Sequence, residues 1–172
     1  RFAAAQNDRA ARVELLNAVQ KDPDWAPARV ALAEVSLRLA DPDSADAALK
    51  KAIALGAKPA RLRHLLGETY RQQRRYDAAL NQLEAADVAP ENRAEAARFA
   101  GRTYQNLGNM DAARAAFDRA LALGDASAAL WTDIGRFRLA RRDMAGAAAA
   151  AERAVAIDGR DAGALGLRGE TV

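Results

Sequence analysis

Residues 101–125 read GRTYQNLGNMDAARAAFDRALALGD. Gly101 and Tyr104 stand at i and i+3 on one helical segment, while Ala113, Phe117 and Ala120 follow at i, i+4 and i+7, one face of a second. Between the two, Gly108 is placed to end the first segment in a left-handed conformation, and Asn109 to cap the next. The stretch therefore predicts a helix, a tight turn and a helix. Its alternation of small and large apolar residues answers a packing requirement, because neither catalysis nor ligand binding calls for it.

The same pattern recurs along the chain with a period of 34. From Gly101 the column runs through Ala33, Gly67, Gly135 and Gly169. From Ala113 it runs through Ala11, Ala45, Ala79 and Ala147, and from Ala120 through Ala18, Ala52, Ala86 and Ala154. The Phe117 column holds Leu15, Leu49, Leu83 and Ala151. Small residues in fixed columns let two antiparallel helices approach closely, and the large column fills the space between them. Each hairpin then leaves an apolar side that the next one covers. Further caps agree with this register: Asp41 before Pro42, and Asp143 before a helix.

Composition supports many closely packed helices. The chain has 172 residues, is 51% hydrophobic and 28% charged, but only 5% aromatic. Alanine supplies much of the apolar count, and it favours helix while burying little surface per residue. The net charge of +3 is small beside 26 basic and 23 acidic groups, and argues against a dedicated nucleic-acid binder. The preference for Arg reads as the codon bias of a GC-rich genome, and a larger bacterial protein is the expected context. With no cysteine, disulfides and thiolate metal sites are excluded. No apolar run approaches the ~20 residues of a membrane span. The chain opens at Arg1 rather than Met, which points to a segment of a longer protein, cytoplasmic or periplasmic. Neither end shows a polar capping helix, so further units are expected on both sides.

These residues resemble the tetratricopeptide repeat family, whose pattern is Trp-x2-Leu-Gly-x2-Tyr, then Ala-x3-Phe-x2-Ala, then Pro. Leu66, Gly67 and Tyr70 fit the first part; Ala79, Leu83 and Ala86 fit the second. Trp131, Ile134 and Gly135 also fit, but Arg138 stands where Tyr is expected. Pro23 occupies the closing column, which elsewhere holds Ala57, Glu91, Asp125 and Gly159. The resemblance implies an all-α, right-handed superhelical solenoid of antiparallel helix pairs. On this reading residues 1–172 form a single array. An orphan second helix covers 7–21, full repeats cover about 26–59, 60–93, 94–127 and 128–161, and a truncated helix covers 162–172.

The family further implies a non-catalytic scaffold that binds a peptide or protein segment along a concave groove lined by the first helices. Columns pointing into that groove hold His64, Glu68 and Arg71, then Arg98, Arg102 and Gln105, then Thr132 and Arg136, flanked by Arg61, Glu95, Asn106 and Asp133. The end near Val30 and Leu37 is more apolar. Two expectations compete for the Arg-rich middle. In one, Arg98 and Arg102 hold a partner's acidic side chain or C-terminal carboxylate. In the other, Glu68 and Arg102 neutralise each other across adjacent repeats. The Lys-Asn-Arg carboxylate clamp of chaperone-binding members is absent, since the Asn column holds Glu34, Glu68, Arg102 and Arg136.

No catalytic centre is expected. His64 is the sole histidine and has no Ser or Cys at useful spacing. The two Asp-Pro-Asp motifs at 22–24 and 41–43 lack a twelve-residue calcium loop and read as turns and caps. No cofactor or metal is assigned. RNA binding is disfavoured by Glu34, Glu68 and Glu95 in the groove. The alternative function is a regulatory or substrate-presenting arm of a larger enzyme, or of a secretion or envelope-assembly component. Stability is expected to be lowest over 144–172, where Ala151 replaces a large residue and Gly163, Gly166 and Gly169 weaken the last helix.

Overall fold

The computed structural model describes residues 2–171, with side chains from Gln6 onward. Among these are ten α-helices and no strand: α1 (Phe2–Lys21), α2 (Ala26–Arg38), α3 (Pro42–Ala54), α4 (Pro59–Gln72), α5 (Tyr76–Leu83), α6 (Arg93–Asn106), α7 (Met110–Ala122), α8 (Ala128–Ala140), α9 (Met144–Ile157) and α10 (Ala162–Thr171). Helices α2/α3, α4/α5, α6/α7 and α8/α9 form successive antiparallel hairpins, with α1 packed on α2 and α10 on α8 and α9. The first helix begins well before residue 7, because residues 2–6 contain no breaker. The expected last residue of the final helix, Val172, lies outside the described residues.

The capping residues act as their chemistry requires. The carboxylate of Asp41 accepts from the Ser44 N–H, Asn109 accepts from Ala112, and Asp143 accepts from Gly146. Within each hairpin the turn passes through a left-handed residue in a single repeating column: Ala40, Arg74, Gly108 and Arg142, with φ between 57° and 77°. Only the third repeat places glycine there. A side chain in this region costs roughly 1–2 kcal/mol, while glycine costs some entropy. Arg74→Gly is therefore expected to stabilise the array by about 0.5–1 kcal/mol, read as a higher urea midpoint. An unchanged or lower midpoint would show that Arg74 makes compensating contacts in the turn.

Packing follows the columns. A Cβ placed on Gly101 would lie 2.5 Å from the Phe117 ring, and one on Gly67 would collide with Leu83. Glycine is needed there because the large residue of the second helix presses directly on the backbone of the first. The fourth hairpin solves the problem differently. Ala151 leaves room, and Leu167 reaches back from α10 to press on Gly135. Leu167 is fully buried.

The second hairpin departs from the expected length. Helix α5 stops at Leu83, although α3 and α7 continue to Ala54 and Ala122. The cause lies in a second left-handed column, where Gly56 and Gly124 have φ of 93° and 90°. That column holds Pro90, whose ring excludes positive φ and forces the preceding residue into an extended conformation. Ala89 is extended, with φ −55° and ψ 135°. The chain leaves the helix early, buries Val88, and ties Ala89 N–H to the Ala60 carbonyl at 3.0 Å before a short 3₁₀ turn, Pro90–Asn92.

Candidate functional site

Helices α2, α4, α6 and α8 present one row of faces, and the polar residues expected in the groove lie along it. The structure brings most of them into a continuous ion network. Glu68 of α4 accepts from Arg71 through both carboxylate oxygens at 2.7 Å, and from the Gln72 amide at 3.0 Å. Arg102 of α6 lies 3.4 Å from Glu68 and 3.8 Å from Asp133 of α8. Arg98 donates to Asp133 at 3.0 Å and to Glu95 at 2.9 Å, and approaches Asp125 at 3.9 Å. Arg71 donates across the repeat boundary to the Asn106 side chain at 3.1 Å.

Burial makes these contacts internal. The side chains of Glu68 and Asp133 are 4% and 8% exposed, and that of Arg98 is 12% exposed. Burial pushes the Glu68 carboxyl up, but the hydrogen bonds and charge of Arg71, with Arg102 and Gln72, bring it below its ordinary value. Burial lowers Arg98 and Arg71, and their carboxylates reverse this and raise both. For Arg102 burial prevails and its value is lowered. The expectation of an open two-arginine clamp at Arg98 and Arg102 is thus corrected: Asp133 and Glu68 already occupy it. Of the two readings of the Arg-rich middle, mutual neutralisation across repeats describes the contacts.

His64 is buried on α4, with Nε2 3.8 Å from Glu95 and Nδ1 without a hydrogen-bond partner. Burial is the main cause that lowers its pKa, opposed by Glu95, so the ring is neutral at pH 7 and makes no ion pair. Thr132 is also buried, with an unpartnered hydroxyl. Gln105 is half-buried, and Asn106 and Arg136 are exposed. Arg61 is the open cation of the α4 end, with a side chain 70% exposed and a 3.5 Å contact to Glu91.

Beyond the ion network the row widens into a hollow of about 680 Å³ between α2 and α4. Val30, Ala31, Leu62 and Leu65 line it, with Lys58 and Arg61 at its rim. It adjoins a second hollow of about 550 Å³ above the network, with Glu34, His64 and Leu65 in the wall of both. Burial and the neighbouring Glu95 raise the Glu34 carboxyl, against the charge of Arg38. Sequence reasoning missed Lys58, Asp125 and Gln72. Lys58 precedes its helix rather than standing in a helical column; Asp125 sits in the family's proline column; Gln72 is signalled only by its i+4 spacing from Glu68.

Residues 60–87 and 99–123 match the family described as tetratricopeptide repeat. The chain thus carries tetratricopeptide repeats. The array superposes on a tetratricopeptide repeat protein from Parabacteroides merdae with a TM-score of 0.82 and 15% identity, covering 99% of this chain and 66% of that one. A thermophilic protein of the family from Thermus thermophilus gives 0.77 and 24% over 99% and 91% of the two chains. YrrB, described as a TPR protein with an unusual peptide-binding site, gives 0.57 and 20% over 98% and 87%. No curated protein sequence matches the chain. Tetratricopeptide repeat proteins generally mediate protein–protein interactions and are typically non-catalytic. No helix among the described residues is long and apolar enough to cross a membrane.

Proposed function

We propose that this array is a non-catalytic scaffold that receives a peptide or protein segment along its concave groove, anchored at the α2/α4 end. The observation that carries this reading is the division of the groove. Its middle is neutralised by the chain's own ion pairs, whereas its end combines an apolar floor with two exposed cations, Lys58 and Arg61. A matching segment presents an apolar side chain to Leu62 and Leu65, and a carboxylate, acidic or C-terminal, to the rim. Arg136, also exposed, extends the cationic margin toward α10. The peptide-binding site named for YrrB supports the general mode.

The test is affinity capture from the native extract. Lys58→Glu with Arg61→Glu is expected to lose the main captured protein while keeping full helicity. The same reversal at Lys50 and Lys51, on the opposite helix layer, is expected to retain it. Because the contacts are exposed and charged, capture should weaken with salt, over a screening length of ~8–10 Å at physiological ionic strength. Retention by the groove variant together with loss by the outer one would overturn the proposal.

A further inference from the structure

A cleft of about 470 Å³ lies outside the groove, at the joint between α7 and α8. Its origin is visible in the repeat columns. In the second and third hairpins the residue at this joint is Tyr70 or Tyr104. Tyr104 packs, as Leu80 does, against the cluster that holds Leu83 and Ala100, and its hydroxyl donates to Glu84 at 2.9 Å. One repeat later these positions are Arg114, Phe117, Ile134 and Asp118, and all four line the cleft. The position of the tyrosine is Arg138, which lines the cleft while its guanidinium donates to the Gly146 carbonyl at 2.9 Å. In the first hairpin the same column holds the small Ser36, which is fully buried. In the fourth, Arg138 lines the joint without filling it.

The walls of this vacancy suit an aromatic ring. Phe117 and Phe137 meet edge to face, with centroids 5.7 Å apart, and Trp131 stands beside them. Asp118 is in the column of Glu84, with its side chain 66% exposed and only a 3.7 Å contact to Arg114. Arg114 and Arg141 stand exposed at the rim, Arg141 lying 5.7 Å from the Phe137 ring centre. We infer that this cleft is a second binding site, which takes a tyrosine side chain from a partner segment with acidic neighbours. The incoming ring occupies the place that Tyr104 fills in the preceding repeat. Its hydroxyl donates to Asp118, and the flanking carboxylates face Arg114 and Arg141. The inference does not depend on occupancy of the concave groove.

The test uses a blocked pentapeptide, Glu-Asp-Tyr-Glu-Glu, titrated against the whole chain by calorimetry, with the Trp131 indole resonance as the local reporter. Saturable binding is expected, with a dissociation constant below about 1 mM. A phenylalanine version should bind roughly tenfold more weakly, since it loses a hydrogen bond to a charged group. Asp118→Asn should weaken the tyrosine peptide and leave the phenylalanine peptide unchanged. Arg138→Tyr should fill the cleft from within, raise the unfolding temperature and abolish binding, whereas Arg138→Ala should retain it. Lys58→Glu with Arg61→Glu should bind like the parent, which separates this site from the groove. Absence of saturable binding, equal binding of the two peptides, or full binding by Arg138→Tyr would overturn the assignment.

Discussion

Replacing Glu68 with Ala is expected to destabilise the array by about 3–5 kcal/mol, the range for removing one partner from a buried ion pair. The carboxylate is 4% exposed and takes hydrogen bonds from Arg71 and Gln72, with Arg102 at 3.4 Å. Its removal leaves two guanidinium groups near one another with a single remaining buried acid, Asp133. The pH dependence has a definite sign. Glu68 titrates below its ordinary value of 4.5 in the folded chain. Its contribution is therefore complete above that value and is lost as pH falls through the depressed folded one. Glu68→Gln keeps the shape without the charge, so its stability should fall less steeply in acid than that of the parent. Urea midpoints at neutral pH and along an acid series check both points. An acid limb in Glu68→Gln as steep as the parent's would remove Glu68 as its source.

Leu167→Ala is expected to cost about 2–5 kcal/mol, confined to the C-terminal end. The side chain is fully buried against Gly135, in the space left by Ala151, so its truncation leaves a hole that no other residue of the column fills. Helix α10 also carries Gly163, Gly166 and Gly169, each disfavoured in a helix interior by up to ~1 kcal/mol. Hydrogen exchange should therefore quicken roughly 30-fold or more over residues 144–171 and remain unchanged over 76–122. Uniform quickening along the chain would show that the array unfolds as one unit and that Leu167 does not act locally.

The helix layout was legible because its signals are local and repeated. Asp41, Asn109 and Asp143 cap the helices they precede, and the columns place small residues where helices approach; that the Phe117 ring presses on Gly101 itself is a finding of the structure. Four features were not legible in that way. The short α5 depends on Pro90 falling in a column that needs positive φ, a conflict that appears only once the turn geometry is known. The place of Leu167 depends on contact between hairpins rather than within one. The candidate groove residues could be placed in helical columns, but sequence gives no measure of how far a guanidinium reaches. Arg98 and Arg102 were therefore open to two readings until Asp133 and Glu68 were located beside them. Lys58, an exposed residue in a turn, carried no periodic signal at all.

The reach of the side-chain contacts has a kinetic consequence. The longest side-chain hydrogen bonds among the described residues, such as Arg71 to Asn106 and Arg98 to Asp133, span 35 residues. No segment has to wait for a distant one. Chains dominated by such short loops fold in microseconds to milliseconds, while synthesis adds only ~5–20 residues per second. Each hairpin can therefore close soon after its second helix leaves the ribosome and serve as the template for the next. The array is built in the order in which it is translated.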